Sequence, residues 1–149
     1  HLTALGNVAT ALLYRDLSKS EINQRALQAL DTVGLAERHD HRPVQMSGGE
    51  QQRVALARAI VTDPLMILAD EPTGALDTKN AKMVMDIFKN LQDQNRAVVL
   101  VTHDLEIAEQ MDRVVSMRDG KIIADDLRAE RKQSLQDTFW ESGSGSKLE

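Results

Sequence analysis

The stretch Leu65-Met-Ile-Leu-Ala-Asp-Glu-Pro72 decides the fold class. An apolar run followed directly by two carboxylates predicts a short strand, and a continuous run of this kind is typical of a strand covered on both faces. A second apolar run, Ala97-Val-Val-Leu-Val101, follows an amphipathic stretch with helical periodicity over Thr78 to Gln94. Strand, helix and strand in this order predict a right-handed βαβ unit and a parallel sheet.

Residues 1–62 predict a helical subdomain. The segment from Leu2 to Tyr14 is rich in apolar residues, and Ser18 to Val33 repeats them at helical spacing. Gly34 stands where such a helix typically ends. A third helix is predicted over Glu50 to Val61, and its apolar residues occupy most of the circumference, so it is expected to be substantially buried.

The alternating pattern of strands and helices occupies residues 63–126. After the second strand, a short helix is expected over Leu105 to Met111. Two further strands, Arg113 to Met117 and Lys121 to Ala124, flank an Asp119-Gly120 step. Because Asp-Gly favours a tight two-residue turn, these strands are predicted to form a hairpin.

The end of the chain is predicted to add little to this fold. Residues 127–141 predict a charged C-terminal helix, and residues 142–149 have the composition of a flexible linker or an expression tail. The predicted fold class is therefore α/β, with a partial parallel sheet and an N-terminal helical subdomain.

The composition excludes several classes of protein. The chain has 149 residues, a net charge of −5 and no cysteine, which excludes disulfide scaffolds, thiolate zinc sites and cysteine nucleophiles. The acidic balance argues against a nucleic-acid partner held by a broad phosphate-neutralising face. No apolar run approaches the roughly 20 residues of a spanning helix. These features predict a soluble, cytoplasmic protein.

The segment Met46-Ser-Gly-Gly-Glu50 opens the third helix and has two interpretations. One is a capping box, in which Ser47 caps the helix and Glu50 reaches back to it. That interpretation leaves Gly48 and Gly49 without a purpose. The other is a helix N-terminus without side chains, where backbone N–H groups and the helix dipole bind a phosphate. The pattern by itself leaves both interpretations open.

The carboxylates that follow the first strand suggest a catalytic site. The alternative is a strand that happens to end in acidic residues. Ligand sites in α/β sheets lie at the carboxyl ends of the strands, so we favour a functional role. Asp70 would hold Mg²⁺, directly or through water, and Glu71 would orient and deprotonate an attacking water.

A histidine follows the second strand, in Thr102-His-Asp104. A single histidine in a loop is usually a side chain with ordinary hydrogen-bond partners. Because His103 is expected to leave the same sheet edge as Asp70 and Glu71, a contact to a phosphate is a plausible second role.

Three segments together resemble a known family. Met46-Ser-Gly-Gly-Glu-Gln-Gln-Arg53, Ile67-Leu-Ala-Asp-Glu-Pro-Thr-Gly-Ala-Leu-Asp77 and Val101-Thr-His-Asp104 have the order and spacing found in ATP-binding-cassette (ABC) ATPases, which have a P-loop NTPase fold. The resemblance covers roughly residues 1–124. The sequences of Asp70-Glu-Pro-Thr-Gly-Ala-Leu-Asp77 and Asp112-Arg-Val-Val-Ser-Met-Arg-Asp-Gly-Lys-Ile122 are similar to those of the branch that serves lipoprotein release, macrolide efflux and antimicrobial-peptide export.

The resemblance implies a role for each motif residue. In this family the signature motif contacts the γ-phosphate of ATP held by an opposing subunit, and the matching residues are Ser47, Gly48, Gly49 and Glu50. The segment Gly74-Ala-Leu-Asp77 resembles the D-loop, which communicates across the dimer.

The resemblance also implies the residues of the hydrolytic step. Asp70 matches the Walker B residue that holds Mg²⁺, Glu71 matches the catalytic glutamate, and His103 matches the switch histidine. The implied cofactors are ATP and Mg²⁺. The implied partners are a transmembrane permease subunit and a second ATP-binding subunit in a head-to-tail dimer, at the inner face of the membrane, with no nucleic acid.

The sequence also departs from the family pattern. It contains no Walker A loop, no upstream aromatic residue for adenine and no Q-loop glutamine. We therefore expect this chain alone to bind ATP weakly or not at all and not to hydrolyse it. In the family's sheet order, the phosphate-loop strand lies between the strands at Ala97–Val101 and Arg113–Met117. Its absence predicts two unpaired strand edges.

Two other interpretations of the chain stay open. It could be a nucleotide-independent interaction or regulatory module that docks on a membrane protein or on a full cassette. It could also be a gene fragment without activity of its own.

Overall fold

The computed structural model of the chain describes residues 2–94 and 96–128. These residues form two compact units that divide between Val101 and Thr102. The first unit holds, in chain order, α1 (Ala4–Ala9), α2 (Lys19–Thr32), α3 (Gly48–Ile60), β1 (Met66–Asp70), α4 (Thr78–Asp93) and β2 (Ala97–Val101). The second holds α5 (Leu105–Gln110), β3 (Arg113–Arg118) and β4 (Lys121–Leu127).

The three helices before β1 pack on one another around a small apolar core. α1 contacts both α2 and α3, and α2 contacts α3. α2 begins after Ser18, which forms a capping box with Glu21, and ends near Gly34, whose φ of 69° favours glycine. The helices predicted over 18–33 and 50–61 are thus confirmed. The largest fully buried side chains of this core are Val8, Leu12, Leu30, Val33 and Leu35.

The first predicted helix is shorter than the sequence suggested. α1 ends at Ala9, and residues Thr10–Leu12 continue as a 3₁₀ turn. The Thr10 hydroxyl donates a hydrogen bond to the Asn7 carbonyl oxygen at 2.6 Å, a local bond that competes with continuation of the helix. Tyr14 is fully exposed, so no buried face extends the helix to the predicted end.

The predicted βαβ unit is confirmed. β1 and β2 pair in parallel, with Met66 opposite Ala97 and Asp70 opposite Val101, and α4 connects them. α4 contacts β2 and buries its own apolar face, which consists of Val84, Met85, Ile87, Phe88 and Leu91. The carboxyl end of β1 therefore lies beside the carboxyl end of β2, and Asp70 stands at that edge.

The expectation that both faces of this sheet are covered is wrong. Side chains alternate between the two faces of a strand, and Ile67 lies on the covered face. On the opposite face, Leu68 is 73% exposed, and Val99 and Val101 are also exposed. An apolar run indicates strand formation, but the burial of each face depends on which elements pack there. Within the described part of the first unit, that second face stays uncovered.

The second unit contains the predicted hairpin. β3 and β4 are antiparallel, and the ladder shifts register between Ser116 and Met117. Asp119 and Gly120 have φ values of 48° and 73°, the left-handed conformation that a two-residue hairpin turn requires. Among the described strands, β3 pairs with β4 alone and β2 pairs with β1 alone.

The structure describes only the first two residues of the predicted C-terminal helix over 127–141. Leu127, where that helix was expected to begin, is instead the last residue of β4. The other residues of that prediction beyond Arg128, and the predicted tail over 142–149, lie outside the described residues. Within the described part of the chain, no helix has the length and apolar character needed to cross a bilayer.

We predict that the helical core controls the stability of the first unit. Leu30 is 0% exposed and Leu27, on the same helix α2, is 39% exposed. Leu30→Ala is expected to lower the free energy of unfolding by about 2–5 kcal/mol, because it removes buried methyl groups and leaves a cavity. Leu27→Ala serves as the matched control and should cost less than about 1 kcal/mol. Urea denaturation measures both, and equal losses would contradict the described packing.

Candidate functional site

The N-terminus of α3 forms the capping box that the sequence suggested. The Ser47 hydroxyl accepts a hydrogen bond from the Glu50 N–H at 3.3 Å, and the Glu50 carboxylate accepts one from the Ser47 N–H at 2.8 Å. The first amides of an α-helix have no partner within the helix. A capping box therefore does not exclude an anion site, because it occupies side chains while the amides of Gly48 and Gly49 keep their helical orientation.

The charge of Glu50 is fixed by this cap. The Ser47 backbone N–H, together with the Ser47 hydroxyl, lowers the pKa of the Glu50 carboxyl, and the nearby Arg38 and Arg53 act in the same direction. Arg38 Nε lies 3.5 Å from one carboxylate oxygen. Glu50 is therefore an anion at neutral pH and is engaged with the helix start. Its position favours a capping role, whereas its predicted contact with a nucleotide stays a prediction.

The two glycines of the signature segment have different surroundings. A Cβ atom at Gly48 would meet nothing within 4 Å, so this position is open to a ligand. A Cβ atom at Gly49 would lie 2.6 Å from Cγ of Asn80. Real Cβ atoms do not approach other atoms so closely. A side chain at Gly49 would therefore have to displace the Asn80 side chain, so the glycine allows the close contact between α3 and α4, a purpose that the sequence interpretation did not assign to it.

The side chain of Asn80 also connects the signature segment to Asp77. Asp77 caps α4, and its Oδ1 accepts the Asn80 N–H at 2.8 Å. The Asn80 side-chain amide donates to both Asp77 carboxylate oxygens at 3.0 Å. These bonds, the backbone one first, lower the pKa of the Asp77 carboxyl. Gly49 and Asp77 thus both lie against the side chain of Asn80.

Arg53 completes this group from the second turn of α3. Its Nη1 donates to Asn80 Oδ1 at 2.8 Å, and the residue is 6% exposed. Sequence reasoning missed both Arg53 and Asn80. Two signals point to them: a charged residue on a helix that is otherwise apolar on most of its circumference, and an asparagine three positions after a capping aspartate.

Asp70 and Glu71 stand at the carboxyl end of β1. Asp70 is the exposed last residue of the strand. Glu71 has a φ of 44°, in the left-handed region that non-glycine residues seldom adopt, and its N–H donates to the Val101 carbonyl oxygen at 2.8 Å. A Cβ at Gly74 would lie 3.5 Å from a Glu71 carboxylate oxygen. The predicted role of Glu71 as a catalytic base stays a prediction.

The donor atoms at this edge fit magnesium. Mg²⁺ prefers oxygen ligands and usually keeps several waters and substrate phosphates in its shell, so one or two carboxylates are sufficient from the protein. Asp70 offers an exposed carboxylate of that kind. No group of three or more acidic or histidine side chains with the geometry of a metal site occurs among residues 2–94 and 96–128.

His103 belongs to the second unit. It follows β2 and precedes Asp104, whose carboxylate caps α5 by accepting the Glu106 N–H at 2.9 Å. Its loop position between strand and helix agrees with the sequence prediction. Its contact with a phosphate stays a prediction.

Comparison with known proteins identifies the family of this arrangement. The model of the ABC transporter family matches residues 1–74, which include the signature segment, Asp70 and Glu71. The chain belongs to the family of ABC transporter ATP-binding domains. This cassette is 46% identical over 125 residues to the ABC transporter ATP-binding protein YvrO of Bacillus subtilis, covering 84% of the chain and 55% of YvrO.

Other relatives agree on the family. The cassette is 47% identical over 148 residues to the macrolide export ATP-binding/permease protein MacB of Chlorobium phaeobacteroides, covering 97% of the chain and 22% of MacB. The dimeric, ADP- and phosphate-bound ATP-binding cassette MJ0796 superposes with a TM-score of 0.76 at 41% identity, covering 85% of the chain and 57% of MJ0796. The chain thus spans about half the length of YvrO and a smaller share of MacB.

We predict opposite outcomes for the two glycines of the cassette. Gly49→Ala is expected to lower the free energy of unfolding by about 1–3 kcal/mol, because the new methyl group must displace an asparagine that is bonded on both sides. Gly48→Ala is the matched control in the same helical turn and should be neutral or stabilising by up to about 1 kcal/mol. Thermal and urea denaturation measure both. A Gly49→Ala variant as stable as Gly48→Ala would contradict the described contact.

We also predict that Glu50 contributes to the acid sensitivity of the cassette. Because folding lowers the pKa of its carboxyl, its stabilisation is present above the ordinary value of 4.5 and is lost as the pH falls through the folded-state pKa. Glu50→Gln should therefore flatten the loss of stability between about pH 5 and pH 3. A loss of stability between these pH values with the same slope as in the unsubstituted chain would contradict this prediction.

Proposed function

We propose that this chain is the signature and Walker B part of a cassette whose parent protein couples ATP hydrolysis to export across a membrane. The observation that carries the proposal is the joint placement of the two motifs in one compact unit. The open helix start at Gly48 and the strained Glu71 both lie within residues 1–101. YvrO is named as an ABC transporter ATP-binding protein and MacB as a macrolide export ATP-binding/permease protein. These names support a coupling to transport.

The proposed chemistry is phosphoryl transfer to water. Asp70 would hold Mg²⁺, which supplies charge neutralisation at the phosphates when ATP is bound. Glu71 would take the proton of the attacking water, and its unusual backbone conformation would hold the carboxylate at the end of β1. His103 would contact the γ-phosphate from the loop after β2.

The signature segment would act on a nucleotide held by another subunit. The N–H groups of Gly48 and Gly49 and the hydroxyl of Ser47 stand at the positive end of the α3 dipole, which favours an anion. Asp77 would extend this surface across the dimer. The dimeric state of MJ0796 supports the pairing of two cassettes.

The proposed partners follow from this division of labour. A second ATP-binding subunit would carry the opposing nucleotide, and a transmembrane permease would receive the conformational change at the inner face of the membrane. MacB is named as an ATP-binding/permease protein, so both functions are assigned to that relative. The net charge of −5 argues against a nucleic-acid partner.

For the chain as it stands, we propose that ATP turnover is absent. The sequence contains no G-x-x-x-x-G-K-[ST] loop, so no nest of amides and no lysine is available for the β- and γ-phosphates.

We predict that isothermal titration of the 149-residue chain with Mg-ATP shows no binding tighter than about 1 mM, a dissociation constant that corresponds to about 4 kcal/mol of binding free energy. A micromolar dissociation constant would contradict the absence of a nucleotide site. Specific capture of a permease or a full cassette without nucleotide would favour the interaction-module alternative instead.

We further predict that Glu71→Gln in the complete cassette lowers kcat by at least about 100-fold, because the amide cannot accept the proton of the attacking water. Glu109→Gln, the same chemical change at an exposed position of α5, is the matched control and should retain normal turnover. Unchanged turnover in Glu71→Gln would refute its assignment as the base.

A further inference from the structure

We propose that Asn80 is a positioning residue that joins the D-loop, Gly74-Ala-Leu-Asp77, to the signature helix α3, so that the two segments move as one body. The bridge itself is a property of this chain. Only its consequence for turnover rests on the proposed function.

The side-chain amide of Asn80 joins two groups of opposite charge. On one side its Oδ1 accepts a hydrogen bond from Arg53 Nη1 at 2.8 Å, and on the other its Nδ2 donates to Asp77 at 3.0 Å. A guanidinium can only donate and an ionised carboxylate can only accept. A primary amide carries both an acceptor and a donor, so the Asn80 side chain satisfies both neighbours at this short span.

The α3 side of the bridge is held by a buried charge. Arg53 is 6% exposed, and its Nε has no hydrogen-bond partner in the described structure. The bond from Nη1 to Asn80 and a weaker one to Met83 Sδ at 3.8 Å are the hydrogen bonds described for its guanidinium. Removing a partner from a buried charged donor costs free energy, so breaking the hydrogen bond between Arg53 and Asn80 is unfavourable.

The first turn of α3 adds a steric contact to these bonds. Without a side chain at Gly49, the helix backbone lies directly against the Asn80 amide, where a Cβ would come within 2.6 Å. Asn80 therefore meets α3 at two successive turns, once through Gly49 and once through Arg53. A shift of the D-loop end relative to the signature helix would break a hydrogen bond or cause a collision.

Asn80 could instead serve only to start α4, but that role belongs to its backbone. The cap is formed by the Asn80 N–H and Asp77 Oδ1 at 2.8 Å, and this bond remains when the side chain is truncated. Asn80→Ala thus removes the bridge and keeps the cap. Asn90→Ala is the matched control, since Asn90 is an exposed asparagine near the other end of the same helix.

The first arm of the test uses the 149-residue chain and nuclear magnetic resonance. Asn80→Ala is expected to move the Asp77 carboxyl ¹³C resonance, to raise its titration midpoint and to shift the Arg53 guanidinium signals. Asn90→Ala should change none of them. If Asp77 and Arg53 show the same signals in both variants, the bridge does not exist.

An exchanged pair separates the bridge from general packing. Asn80→Asp keeps an acceptor for Arg53 but places two carboxylates together, whereas Asn80→Asp combined with Asp77→Asn restores a donor facing an acceptor with the polarity reversed. The double variant is expected to recover the Arg53 guanidinium signals that the single variant disturbs. A double variant as disturbed as the single one would overturn the proposal.

The second arm measures turnover in the complete cassette. Asn80→Ala is expected to lower kcat by at least about 10-fold, because the signature and D-loop segments lose their mutual alignment, while the KM for ATP changes less than about 2-fold. Asn90→Ala should change neither constant. Normal kcat in Asn80→Ala, in a cassette that Glu71→Gln inactivates, would overturn the positioning role and leave the proposed function intact. If Glu71→Gln also retains turnover, the proposed function fails, and the resonance arm still decides the bridge.

Discussion

The close contact between Gly49 and Asn80 is the constraint on which the arrangement of this cassette depends. Only a glycine lets the first turn of α3 lie against the side chain that also binds the end of the D-loop. Because α4 begins at that point and leads into β2, the same contact ties the signature helix to the connection between the two strands. The capping box of Ser47 and Glu50 then fixes the direction in which the helix start faces.

The elements of the fold could be predicted from the sequence because each has a local cause. The helix end at Gly34 and the Asp119-Gly120 turn were predicted correctly, since left-handed conformations at helix ends and turns depend on neighbouring residues alone. The burial of β1 could not be predicted in this way. The run ending at Asp70 is apolar throughout, yet Leu68 is exposed, because burial depends on elements that are distant in the chain.

The candidate site shows the same division. The motif residues could be found from their order and spacing, and the strained conformation of Glu71 adds structural support for one of them. The partnership of Arg53 and Asn80 was missed, because it joins residues that lie 27 positions apart, and the motif that ends at Arg53 does not indicate its partner. The two glycines also look alike in the sequence, whereas the structure gives Gly48 open space and gives Gly49 a neighbour in contact.

We propose that the start of α3 meets a phosphate held by another subunit. This proposal is tested most directly by following the backbone amide resonances of Gly48 and Gly49 in the ¹⁵N-labelled chain, mixed with the unlabelled complete cassette. We expect both resonances to shift when Mg-ATP is added and to stay unchanged with Mg-ADP. Identical glycine resonances with and without Mg-ATP, in a mixture where the complete cassette is shown to bind the nucleotide, would contradict it.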